Sequence, residues 1–353
     1  MHPVRQKYDD LEIVSRDLTN SSGFTLSALV HNEMHFLPPF LTHYRRLGVQ
    51  RFVFIDDRST DGTAAYLSAQ PDVMVLKSHR KYGDRIAAED AQALGLPISR
   101  MEVMWRMLLV EKFALNQWSL HLDADEFLDL PEGLSIRGST AKMDGTDDDF
   151  VWGVMIDMYP ATVSDLAGMA GDPVIDLSKP WYFDGRQHLR IRAGRTPKMW
   201  HAGCRARLLQ KFDLNQKRSW IETKARKLLR LPSPRYNAIR KPILLRWRSG
   251  QIFQSAHDVS GTASPHFLLP IRHYKFNGPI HDRIHRATTT GGNTGGGAEY
   301  KDLAGLLAEM SEKDDSFLDI KSVRYTGFED FRRTGNATGF DNTGVINRSG
   351  RST

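Results

Sequence analysis

The sequence predicts an α/β protein whose central sheet is mostly parallel, and three observations predict it. Apolar, β-branched or aromatic runs alternate with segments of helical periodicity from Phe24 to Leu76, the rhythm that right-handed crossovers turn into a parallel sheet. Two strand-like runs end in acids: Arg51-Phe-Val-Phe-Ile55 enters Asp56-Asp57-Arg58-Ser59-Thr60-Asp61-Gly62-Thr63, and Trp118-Ser-Leu-His-Leu122 enters Asp123-Ala124-Asp125-Glu126-Phe127. A chain of 353 residues, 40% of them hydrophobic, fills one large α/β core with additions, or two domains. Ligands of open α/β sheets sit outside the carboxyl ends of the strands, where carboxylates at i and i+2 converge on one hard divalent cation.

Residues 1–23 show no periodicity and end in Asn20-Ser-Ser-Gly23, which predicts a weakly structured leader. Phe24 to Val30 is strand-like, Pro38 to Leu47 helical with Pro near its start, Arg51 to Ile55 strand-like, Gly62 to Ala69 helical and Val73 to Leu76 strand-like. Glu102 to Gln117 repeats Val103, Met107, Val110, Phe113 and Ala114 at helical spacing, and Trp118 to Leu122 follows as an inner strand. Beyond the turn-rich Asp144-Gly-Thr-Asp-Asp-Asp149, Phe150 to Ile156 is a strand that stops at Asp157-Met-Tyr-Pro160. Ala161 to Ser249 mixes short elements with basic residues and reads as a substrate-facing elaboration of the same domain. Ile271-Arg-His-Tyr-Lys-Phe276 alternates as a strand before the turn Asn277-Gly-Pro279. Thr288 to Gly297 is expected to be a mobile loop and 332–353 a flexible tail. There is no internal repeat.

Composition narrows the function classes. The lone Cys204 excludes an internal disulfide, and no Cys/His cluster has structural-zinc spacing. Met1 to Asp17 holds no apolar segment, and no run approaches the roughly 18 apolar residues of a membrane span. The expected location is cytoplasmic, with peripheral contact at the inner face of the membrane. The formal charge of +6 is unevenly placed: Lys217 to Arg248 holds eleven Lys or Arg against the single acid Glu222. Such a stretch attracts anionic lipid, nucleic acid, or a polyanionic or phosphate-bearing substrate, and reads equally as a solvated helical face.

Val30-His-Asn-Glu33, the Leu47 to Thr63 segment with its Asp-Asp-x-Ser-Thr-Asp-Gly-Thr loop, and His121-Leu-Asp-Ala-Asp-Glu-Phe127 together resemble the family 2 type of glycosyltransferase, in a bacterial branch where these pieces occur together. Met155-Ile-Asp-Met-Tyr-Pro160 and His273-Tyr-Lys-Phe276 are similar to that branch too, and the resemblance covers roughly residues 24 to 330. It implies a GT-A type fold, that is, a Rossmann-like nucleotide-binding sheet over 24–160 with a continuous acceptor-side extension over 161–331. It also implies transfer of a sugar from a nucleotide diphosphate donor, most commonly UDP-linked, to a glycan or lipid-linked acceptor, with Mn²⁺ or Mg²⁺ and no nucleic acid. By motif match Asn32, Glu33 and Asp56 or Asp57 contact the nucleoside, and Asp123 and Asp125 bind the metal.

Physical chemistry reaches compatible roles. Nucleoside N–H and hydroxyl donors suit fixed carboxylates at the first two strand ends, whereas a diphosphate meets Asp123 and Asp125 only through a cation. Asp61 opens a helix and suits turn and cap duty. Glu126 is either a structural acceptor or a neighbour that supports the metal ligands. An inverting transfer needs a carboxylate base, and Asp157 is the first candidate, ahead of Asp213, Glu222 and Asp258. His273 and Lys275 share one face of an alternating strand, which suits a third metal ligand and a diphosphate-binding cation, with Gly291 to Gly297 as a closing lid. No Gln-x-x-Arg-Trp motif is present, which argues against a processive synthase. Two other readings stay open: a basic membrane- or nucleic-acid-binding module on an α/β scaffold, and a metal-dependent phosphohydrolase, which Phe127 disfavours.

Overall fold

The computed structural model describes residues 2–97, 100–141, 143, 145–192, 195–214, 239–289 and 298–339. Among them a nine-stranded sheet contains β1 (Glu12–Ile13), β2 (Thr25–Val30), β3 (Arg51–Asp56), β4 (Val73–Lys77), β5 (Trp118–His121), β6 (Glu126–Leu128), β7 (Phe150–Asp157), β8 (Arg240–Arg246) and β9 (Ala263–His273). The spatial order is β1-β4-β3-β2-β5-β8-β7-β9-β6. β4, β3, β2 and β5 are mutually parallel, and β9 is parallel to β7. β8 runs antiparallel to both β5 and β7, and β1 and β6 close the edges antiparallel. Six of the nine strands therefore run the same way, and the mixed α/β sheet is compatible with a Rossmann-like fold.

Both faces of β2 and β3 are buried at every position, because helices cover the sheet. The chain moves outward from β2 through α2 (Leu37–Arg46) to β3, then through α3 (Thr63–Ser68) to β4. α4 (Met101–Phe113) then returns it to place β5 on the other side of β2. The strand order thus reverses between β2 and β5, and a crevice opens there at the carboxyl ends. α4 is buried almost all round, since it packs between the sheet and a hairpin of Phe253–Ser255 with Asp258–Val259.

Three expectations need correction. The N-terminal segment is packed: α1 (Pro3–Lys7) buries Arg5 in a pair with Glu111, the Tyr8 hydroxyl donates to Asp90 at 2.7 Å, and β1 extends the sheet. Polar anchors hold it, so no apolar period announces it. The strand expected over Ile271–Phe276 spans Ala263–His273, with a register shift between Ala263 and Leu268 that accommodates Pro265 in the ladder. The C-terminal segment folds back at least to Gly339: Asn336 is fully buried and accepts from His188 N at 2.8 Å, and Thr338 bridges to Leu268. Residues 340–353 and the 290–297 part of the expected loop lie outside the described residues, as do 217–238 of the basic stretch. Of the rest, Arg240–Arg246 forms the inner strand β8, with Lys241 buried and Arg240 and Arg246 half-buried, and Arg248 beyond it is exposed.

Candidate active site

The carboxyl ends of β2, β3, β5 and β9 surround a cavity of about 810 Å³, lined among others by Glu33, Asp57, Asp123, Asp125, His273 and Lys275. That volume falls in the range of pockets that enclose a drug-sized ligand. The loop after β3 shapes its first wall. Asn32, in the left-handed region at φ 56°, donates its N–H to Ser59 Oγ at 2.9 Å and accepts from Thr60 N at 2.7 Å. Asp61 accepts from Met34 N and Thr63 N, each at 3.0 Å, and Gly62 turns the loop into α3 at φ 93°. Asp61 thus has the expected turn duty. These bonds aim Glu33 into the cavity and turn Asn32 away from it. Asp57 likewise lines the cavity, while Asp56 is buried beneath its own loop. Of the four residues expected at the nucleoside, Glu33 and Asp57 face the space a ligand would fill.

The second wall is the loop after β5. Asp123 accepts from Arg106 Nη2 at 3.2 Å and from Lys241 Nζ at 2.8 Å; Lys241, 0% exposed, also donates to Glu126 Oε2 at 2.7 Å. Glu126 further accepts from Asp123 N at 2.8 Å, which makes it a structural acceptor. Burial alone would raise the Asp123 carboxyl, but Lys241 and Arg106 outweigh it and hold the group well below the ordinary carboxylate range. Burial keeps His121 neutral, so its Nε2 accepts from Arg106 and its Nδ1 bonds Ser27 Oγ at 2.9 Å. Arg283, on α6 (Ile280–Thr289), bridges Asp125, at 2.9 Å, and Glu33. Burial pushes the Glu33 carboxyl up to about 7 against the pull of that guanidinium.

The third wall joins β7, β9 and α5 (Gly203–Lys211). His273 Nδ1 lies 2.7 Å from Asp157 Oδ1, and its Nε2 lies 3.7 Å from Asp125 Oδ2. Asp157 is 4% exposed, does not line the cavity and accepts from Arg205 Nε at 2.8 Å on its other oxygen. Burial works against its ionisation, but Arg205 and His273 prevail and hold it strongly ionised. Both oxygens engaged and a depressed pKa make it a poor general base, so the expected role is corrected to that of a positioning residue for His273. Of the other acids considered, Asp213 and Asp258 lie off the cavity, and Glu222 lies outside the described residues. Lys275 Nζ reaches Tyr300 OH at 3.1 Å on α7 (Ala298–Glu312), and Tyr274 and Phe276 point into the core, as the alternation predicted.

Arg106, Lys241, Arg205 and Arg283 were not anticipated. The available signal was a cation inside an otherwise apolar run, as in Met104-Trp-Arg106-Met-Leu-Leu109 and Lys241-Pro-Ile-Leu-Leu245. No protein-family model matches this sequence, and a comparison with curated proteins finds no match.

Proposed function

We propose that the chain is a metal-dependent glycosyltransferase of GT-A type, moving a sugar from a nucleoside diphosphate donor to a glycan or lipid-linked acceptor. The observation that supports this most is the meeting of Asp125 and His273 in one cavity at the switch point, with Glu33 and Asp57 at neighbouring strand ends. Glu33 and Asp57 would accept from the base and ribose, while Lys275 and Arg283 would face the diphosphate.

Among the described residues no group of three His, Cys, Asp or Glu side chains is arranged to hold a metal, so the reading rests on Asp125 and His273 as a pair of donors, 3.7 Å apart. His273 Nδ1 lies 2.7 Å from Asp157 Oδ1, and with Nδ1–H donated there the Nε2 lone pair would be turned toward Asp125, the carboxylate–histidine arrangement that orients a ligating His. Asp123 keeps lone pairs on its exposed side beyond those given to Arg106 and Lys241. Asp125 and His273 would therefore hold Mn²⁺ or Mg²⁺, with Asp123 lining the same cavity. The chemistry such a cation would supply is positive charge to offset that growing on a leaving diphosphate. Arg106 and Lys241 hold the Asp123 loop from the protein side.

Asp157→Asn separates this role of His273 from a base role. Loss of the orienting carboxylate should raise the Mn²⁺ concentration for half-maximal activity about 10- to 100-fold, with turnover largely recovered at saturating metal. A metal requirement equal to wild type with turnover still depressed would make His273 the proton acceptor instead. The function itself is tested by release of nucleoside diphosphate across a panel of nucleotide sugars. We expect one donor to be cleaved, with activity removed by chelation; no release from any donor would contradict the reading.

A further inference from the structure

We propose that the two-stranded ribbon of Leu189–Arg192 and Arg195–Met199 docks on an anionic lipid surface. Its register sets Arg195 opposite Arg192, Lys198 opposite Arg190 and Met199 opposite Leu189. Directly opposed residues share a face, and with Leu189 buried and Ile191 half-buried, Arg190, Arg192, Arg195 and Lys198 form the exposed face. Like charges directly opposite destabilise a strand pair, and this ribbon holds two such pairs. None of the four cations has a carboxylate partner among the described residues. No acid occurs between Asp184 and Asp213, an interval with eight Lys or Arg. An anionic surface laid over that face removes the repulsion the ribbon otherwise carries.

The apolar residues decide which anion. Trp200 is 55% exposed and lies two residues beyond Lys198, on the cationic side of the strand, where Lys198 Nζ stands 4.6 Å over the indole. Trp at headgroup level with cations beside it is the pattern of a bilayer interface. A soluble polyanion would use the cations but leave Trp200 in water. The ribbon leads by chain to the cavity: Trp200 N donates to His188 O at 2.8 Å, and α5, which follows, carries Arg205 to the cavity wall. The surface uses residues outside the Lys217 to Arg248 stretch and does not depend on the transferase reading.

The test is co-sedimentation of the full chain with vesicles of phosphatidylglycerol and phosphatidylcholine at low salt, against phosphatidylcholine alone and against soluble polyphosphate. Wild type should bind the anionic vesicles selectively. In Arg190→Glu/Arg192→Glu a carboxylate faces a cation in each cross-strand pair, so thermal stability should hold or rise. Vesicle partitioning should fall more than about 25-fold, about fivefold for each cation removed. Arg195→Glu/Lys198→Glu, reversed on the other strand, should read the same. Trp200→Ala should weaken vesicle binding and leave polyphosphate binding unchanged. The proposal is overturned if wild type does not sediment, if both charge reversals bind like wild type, or if Trp200→Ala leaves vesicle binding intact.

Discussion

Asp125→Asn is expected to lower sugar-transfer turnover at least about a thousandfold while the chain stays folded. The Asp125 carboxylate faces His273 Nε2 at 3.7 Å and carries the Arg283 contact, so its charge is what a cation in that position meets first. Transition-state stabilisation by a bound metal is worth several kcal/mol, and each 1.36 kcal/mol is about tenfold in rate. Asn keeps the shape and one oxygen, and Arg283 retains Glu33, so no buried cation is left without an acid. Steady-state kinetics over a metal titration, with circular dichroism as the folding control, measure it. Turnover within a few fold of wild type at ordinary Mn²⁺ would remove Asp125 from the metal site.

Lys241→Met should be the most destabilising single change near the site, by about 3–5 kcal/mol in urea unfolding at neutral pH, since breaking a buried pair strands its partner. Glu126 is 1% exposed on its side chain, and Lys241 Nζ at 2.7 Å is its neutralising contact. Burial already pushes the Glu126 carboxyl above its ordinary 4.5, with Lys241 opposing the rise. Without that cation the rise grows. A carboxyl whose folded value is raised contributes most below its unfolded value and loses that contribution as pH rises through the folded one. The deficit of Lys241→Met should therefore shrink as pH falls toward about 4.5, where the carboxyl takes up a proton. Lys241→Met/Glu126→Leu, which removes both charges, should recover much of the loss. A single variant as stable as wild type would mean that the ion pair does not hold the Asp123 loop.

The contrast between these two residues shows what was legible in the sequence. Asp125 stands out because it follows a continuous apolar strand that the period-two and period-3.6 patterns locate well; β2, β3, β4, β5 and β7 all lie within a few residues of their expected bounds. Lys241 falls in a stretch whose composition alone reads as basic and exposed. Its strand pairs antiparallel between β5 and β7, and only that long-range placement turns its ammonium toward Asp123 and Glu126. Asp157 illustrates the same limit: its position at a strand end was readable, but Arg205, 48 residues on, determines that it stays ionised and buried. The N-terminal segment was missed because Arg5 and Tyr8 hold it through polar contacts to Glu111 and Asp90, which leave no periodic trace.

The central claim is that the switch-point cavity binds a nucleoside diphosphate through a cation at Asp125 and His273. A thermal-shift comparison of wild type and Asp125→Asn, with nucleoside diphosphates and Mn²⁺ together and each alone, tests it most directly. Ligand at a hundred times its dissociation constant adds about 2.7 kcal/mol of apparent stability. The account predicts that gain for wild type with one nucleoside diphosphate only when Mn²⁺ is present, and its loss in Asp125→Asn. No gain with any nucleoside diphosphate, or an equal gain in the variant, would contradict it.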